Sequence, residues 1–306
     1  MKKSLAALLP LACVLSLAAE AQPVGNRNIL IAPVLDTAAD GRLVRFPVPR
    51  FAIEAGRGWH SAKDEQAWNI KLVGSFQIEV GDGRTVLLGL FSNEMTTNPY
   101  NDISFNPRGS TWNENAFVAR RFSHGSAHFG ILFRSRHDLD NKDGYDEEIP
   151  DSLDVPLARV VGLGGLQLGY TSNERRFAGR WQLRYSARAE GYFHTKDSRS
   201  PNVRISPDWT DAISMGAVAL RVSRPIRAGV RGYVRGWAMT HVFKPDAGMF
   251  AKTNARAEIG IRGFSTPAGM DLHVAYERWF DDLSRPMPQK NKAWIAGLRI
   301  SADEMF

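Results

Sequence analysis

From Trp181 to Phe193 every second residue is apolar or small: Trp181, Leu183, Tyr185, Ala187, Ala189, Gly191, Phe193. The residues between them, Arg180, Gln182, Arg184, Ser186, Arg188, Glu190, Tyr192 and His194, form a charged and polar set. Successive side chains of a strand point to opposite faces, so a strand here has one apolar face and one wet face. Strands of soluble sheets usually run about five or six residues. This run is longer and spreads its aromatics towards both ends, as a strand does when it crosses a bilayer between lipid and a polar lumen. A soluble β-sandwich is the competing architecture. It needs short strands and a charge-poor buried face on each sheet, and the chain offers long strands instead.

The N-terminal residues read as an export signal, residues 1–21. Lys2 and Lys3 precede an apolar stretch over 4–18, and Ala19-Glu20-Ala21 gives a small-x-small cleavage site before Gln22. That stretch is too short for a spanning helix, which takes about 20 apolar residues, and no later stretch reaches that length. The single cysteine, Cys13, lies inside the signal, so cleavage leaves no disulfide to staple the exported chain. The formal net charge is +7. A basic balance suits nucleic acid or anionic lipid, but the arginines are dispersed at strand period, which predicts a basic lumen and no nucleic-acid partner.

Residues 22–49, with Pro23, Pro33, Pro47 and Pro49, are expected to be a periplasmic lead-in, because proline interrupts strand pairing. The barrel is expected to fill 50–306. Ile70, Leu72, Gly74, Phe76, Ile78 and Val80 alternate with polar residues up to Gly81-Asp82-Gly83, a strong hairpin signal into 84–92. Further strands are predicted at 111–122, 127–137, 155–171, 176–195, 211–224, 228–243, 253–264, 269–280 and 292–302. Short turns are predicted near 81–83, 123–126, 172–175, 225–227 and 265–268, and long polar loops near 93–110, 138–154, 196–210, 244–252 and 281–291. The total is about twelve strands, an even number as single-chain bacterial barrels have. The final strand aligns Trp294, Ala296, Leu298 and Ile300 on one face and the sequence closes on Phe306. In these features the chain resembles Gram-negative outer-membrane β-barrels as a broad class. The resemblance implies an all-β, transmembrane antiparallel barrel in the outer membrane, contact with outer-membrane lipid and lipopolysaccharide, and recognition of Phe306 by the assembly machinery.

Three groups of residues are candidates for chemistry. The lumen charge comprises Arg180, Arg184, Arg188, Arg231, Arg235, Arg256 and Arg262, with Arg221 and Arg299 beyond, and the acids Glu190, Glu258, Asp271 and Glu277. It reads either as an anion-favouring wall or as an ion network filling a narrow barrel. Phe129, Ile131, Phe133, Ser135 and His137 share one face, which sets Ser135 and His137 towards the lipid side of the extracellular rim. A serine and a histidine so placed resemble outer-membrane phospholipase A, although the order here is Ser-x-His where that family has His-x-Ser. The resemblance implies Ser135 as nucleophile and His137 as base of a lipid hydrolase. The acidic segment after them, with Asp138, Asp140 and Asp143, loosely resembles a calcium turn but lacks EF-hand spacing, since Lys142 falls where an oxygen ligand belongs. Calcium is thus a candidate cofactor and a solvated loop the alternative. The leading functional expectation is a narrow pore or transport protein for small, anionic solutes. The lipid or lipopolysaccharide hydrolase is the alternative, and a structural or adhesive barrel acting through its loops is the second.

Overall fold

The alternation closes into a ring. In this computed structural model the described residues are 44–45, 50–60, 68–98, 106–138, 160–198, 208–264, 269–280 and 291–301. Twelve antiparallel strands form the wall: β1 Arg50–His60, β2 Trp68–Val80, β3 Thr85–Asn98, β4 Asn106–Phe122, β5 Gly125–Asp138, β6 Val160–Ser172, β7 Trp181–Ser198, β8 Ala212–Arg227, β9 Val230–Phe243, β10 Phe250–Phe264, β11 Gly269–Trp279 and β12 Asn291–Ser301. Each pairs with its sequence neighbours, and β12 pairs back onto β1 from Ala293↔His60 to Ser301↔Ala52. Closure leaves no free sheet edge, the condition for strands to stand in hydrocarbon. The expected signal 1–21, most of the expected lead-in, residues 139–154 and Phe306 lie outside the described residues.

The outward set is apolar through most of the ring: Phe76 on β2, Phe129 and Ile131 on β5, Leu168 on β6, Val218 on β8, Ile259 on β10 and Leu272 on β11 are all exposed. Aromatics stand towards both ends of this band. Phe122, Phe177 and Trp181 lie near one end, and Phe193 and Trp294 near the other, as interfacial girdles do. Gly89 of β3 is set under Phe76 of β2. A Cβ there would fall 2.0 Å from the Phe76 ring, so the glycine makes room for an aromatic that shields the strand on the lipid side.

The turn after β2 fits its prediction. Gly81 and Gly83 have φ of 65° and 70°, and the Asp82 carboxylate accepts from the Arg84 amide at 2.9 Å. Other boundaries move. β3 continues to Asn98 and β4 begins at Asn106, so strand replaces much of the loop expected over 93–110. The stretch 176–195 is not one strand: Arg175–Phe177 pairs with Trp181–Leu183 as a small hairpin, turned by Ala178 at φ 42° and Gly179 at φ 80°. Strands β9 and β10 are joined by residues 244–249, shorter than the long loop expected there. A bulge between Gly164 and Gly165 lets β7 run on past Phe193 with its faces exchanged, so the predicted parity of His194 is lost.

The lumen is less uniformly polar than the sequence suggests. Ala52, Val73, Leu88, Leu90 and Phe117 form a buried inner cluster on β1–β4. Near the long-loop end, a 3-10 turn, Trp209–Asp211, places Trp209 inside the ring. Its indole packs against Phe243 at 5.3 Å and His241 at 5.1 Å, and its amide donates to Asp197 at 3.1 Å. A barrel of this size is expected to fill its interior with side chains, since eight strands already pack and sixteen leave a channel.

Candidate functional site

Two regions gather the predicted residues, one inside the ring and one on its outer wall. Inside, Glu258 of β10 is the hub of a buried ion cluster. Its carboxylate accepts from Tyr233 at 2.8 Å, Arg235 at 2.8 Å, Arg256 at 2.6 Å and Arg299 at 2.9 Å. Arg256 reaches on to Glu277 at 2.6 Å and Glu54 at 3.0 Å. Arg299 also donates to Glu54 at 2.7 Å, which ties β12 to β1 across 245 residues of sequence. Arg262 and Asp271 pair at 2.8 Å on the same wall. A second cluster stands elsewhere on the inner wall. Arg134 of β5 donates through both Nη atoms to Glu190 of β7, at 3.0 and 3.1 Å, and through Nε to Asn113 at 2.7 Å. Arg188 lies 3.2 Å from the same glutamate.

Between these clusters runs a row of like charge. The register sets Arg184 of β7 opposite Arg221 of β8, Arg221 opposite Arg235 of β9, and Arg235 opposite Glu258. All three arginines point inward. Directly opposed side chains of one face lie about 4.5–5.5 Å apart at Cβ, and like charges so placed destabilise the sheet. The Arg221 guanidinium rests 4.9 Å from the Tyr233 ring centroid, a cation–π contact that spreads part of its charge. Arg231, opposite Arg262, is held by Glu174 at 2.8 Å. Arg180 falls in the exposed turn before β7, off the lumen wall, because the strand starts at Trp181. Glu54, Lys71, Glu79, Glu94, Arg134 and Arg136 also face inward. Lys71 and Glu79 fall on the polar set of β2, as its alternation predicts, whereas Glu94 lies on β3, where neither face is cleanly apolar.

On the outer wall, a group of polar residues interrupts the apolar band. Towards the long-loop end of β3–β5 the outward face carries Asn93, Ser110, Glu114, Ser135 and His137. Asn93 Nδ2 donates to Ser110 Oγ at 2.8 Å and to the Thr111 carbonyl at 3.4 Å. His137 sits directly opposite Ser110, and Ser135 opposite Trp112, in the β4–β5 register. Ser135 and His137 are therefore on the face expected of them. Their neighbours Ser110 and Asn93 come from strands whose pairing no local pattern reveals. Asp138 ends β5, while Asp140 and Asp143 lie outside the described residues. Among the described residues no group of acidic, histidine or cysteine side chains is arranged to hold a metal.

No protein-family model matches the chain, and no curated protein matches it. Among solved structures the chain is similar to outer membrane phospholipase A from Escherichia coli, at 12% identity over 84% of this chain and 93% of that one, with a TM-score of 0.44. It is similar to the COG4313 outer membrane channel from Pseudomonas putida F1, at 11% identity over 87% and 99%, TM-score 0.43. The transport unit of the autotransporter AIDA-I from Escherichia coli gives 10% identity over 90% and 95%, TM-score 0.41. Channel, translocator and enzyme stand side by side in this set, so it does not choose among activities. The closed ring, the lipid-facing apolar band and the charged interior do fix the class: the chain is a twelve-stranded outer-membrane β-barrel.

Proposed function

We propose that the barrel conducts small anions across the outer membrane through a narrow lumen. The observation that carries this reading is the inward row of Arg184, Arg221 and Arg235 on three successive strands. An anion among these guanidiniums offsets their mutual repulsion, and arginine rings of this kind set selectivity in anion pores. The clusters around Glu258 and Glu190 line the rest of the passage and keep it narrow. The test is single-channel recording of the refolded barrel under a salt gradient. Steady openings are expected, with a reversal potential on the anion side that falls to zero or changes sign when Arg184 and Arg221 are replaced by Glu. A folded barrel that passes no current, or a selectivity that the double replacement leaves in place, would sink the reading.

The outer polar patch favours a second reading, hydrolysis of outer-membrane lipid or lipopolysaccharide. Polar side chains on a lipid-facing wall are costly and mark function by default, and a histidine opposite a serine supplies the base and nucleophile of a covalent mechanism. His137 would act as base. The register offers Ser110 as a closer nucleophile than Ser135. In mixed micelles of phospholipid and detergent, His137→Ala is expected to lower fatty-acid release about 10²–10⁴-fold, and Ser110→Ala and Ser135→Ala to separate the two serines. Wild-type protein that releases no fatty acid removes this reading.

A further inference from the structure

The lipid-facing wall from β7 round to β1 holds a concavity of about 1060 Å³, just above the ~300–1,000 Å³ typical of small-molecule sites. Its floor is one row of cross-strand neighbours: Arg224, Gly232, Ile261, Leu272 and Leu298, closed at the β1 side by Ala55. Gly232 makes the furrow, since it leaves no side chain between Arg224 and Ile261. A Cβ built there first meets the end of Ile226, at 3.1 Å. Above this row Val234 and Ile259 continue the apolar lining. At the other end of the row the Arg224 guanidinium lies 5.5 Å from the Trp181 ring centroid, and both side chains are exposed.

This end of the ring carries the connections 81–84, 123–124 and 228–229, the short turns that face the periplasm in barrels of this kind. It is also basic. Arg175, Arg176, Arg180 and Arg227 are exposed on the turns beside Arg224. The site therefore pairs an apolar furrow with an exposed cation at the short-turn end of the wall, next to an interfacial tryptophan.

We propose that this furrow binds one glycerophospholipid of the periplasmic leaflet, with an acidic headgroup. Its phosphate pairs with Arg224 and an acyl chain lies over Gly232 between Ile226 and Ile261. Charge complementarity selects this occupant: a second barrel would set this arginine-rich rim against its own copy. The site does not depend on what the lumen conducts.

Native mass spectrometry of the refolded barrel tests it, with phosphatidylglycerol and phosphatidylcholine of identical acyl chains offered in separate micelles. One retained phosphatidylglycerol per barrel is expected, with phosphatidylcholine retained at least about tenfold less, the factor that 1.4 kcal/mol of headgroup discrimination gives. Arg224→Gln should reduce phosphatidylglycerol to the phosphatidylcholine level. Gly232→Leu, which fills the furrow without changing charge, should reduce both lipids. Equal retention of the two lipids by wild type, retention unchanged in Arg224→Gln, or a two-barrel ion without lipid would overturn the proposal. Arg224 is exposed, so its variant tests the site even if the Gly232 variant fails to fold.

Discussion

Glu258→Ala is expected to cost the barrel about 3–5 kcal/mol, the range for removing one partner of a buried ion cluster. Glu258 is 2% exposed, and it holds Arg235, Arg256, Arg299 and the Tyr233 hydroxyl together. Without it those guanidiniums face one another, with Glu54 and Glu277 left to hold Arg256, and Glu54 to hold Arg299. Glu258→Gln keeps the shape and two polar atoms, and should cost less. The comparison is made by urea unfolding of barrels refolded into liposomes, read by tryptophan fluorescence and extrapolated to water. A loss under about 1 kcal/mol in Glu258→Ala would mean that water satisfies the arginines and that the cluster is solvated. The same variant bears on conduction. If the cluster narrows the passage, removing its hub should widen it and raise conductance in whatever fraction folds.

The cluster also shows how far the sequence could be read. Strand faces were legible wherever one face was cleanly apolar: Ile70 to Val80, Trp181 to Phe193, and Trp294 to Ile300. They were not legible on β3 and β4. There Leu88, Leu90 and Phe117 turn inward while Leu87, Phe91 and Val118 turn outward, so both faces carry apolar residues and the period of two disappears. The inward place of Glu54 follows from its strand, yet its partners follow only from closure, because Arg256 and Arg299 lie 202 and 245 residues away. The outer patch is similar. Ser135 and His137 share a strand, so their common face is legible; Ser110 and Asn93 reach them through two strand pairings. The bulge before Gly165 and the turn at Ala178–Gly179 each displace the alternation, and so His194 and Arg180 left the faces assigned to them. Trp209 enters the ring from a connection, where period carries no information.

Val218→Arg and Ala219→Glu should divide sharply, although the residues are adjacent. Both sit midway along β8. Val218 is 54% exposed on the outer wall, so an arginine there meets hydrocarbon and is expected to cost about 2–4 kcal/mol. Ala219 points inward, opposite Ser186 and Trp237. Its diagonal neighbours are therefore Arg184, Arg188 and Arg235, with Arg221 two residues on along its own strand. Diagonal neighbours are ~7–8 Å apart, within reach of long side chains. A glutamate at 219 enters that basic field and should change stability by less than about 1 kcal/mol, because the attraction offsets its desolvation. The same replacement should also weaken anion preference, since it neutralises the row proposed to confer it. Unfolding in liposomes and reversal potentials on the same two proteins read both effects. If Val218→Arg were harmless, the outer wall would not face lipid at that depth. If Ala219→Glu were the costlier change, the arginine row would already be filled by groups that leave no room for an acid, and conduction along it would lose its basis.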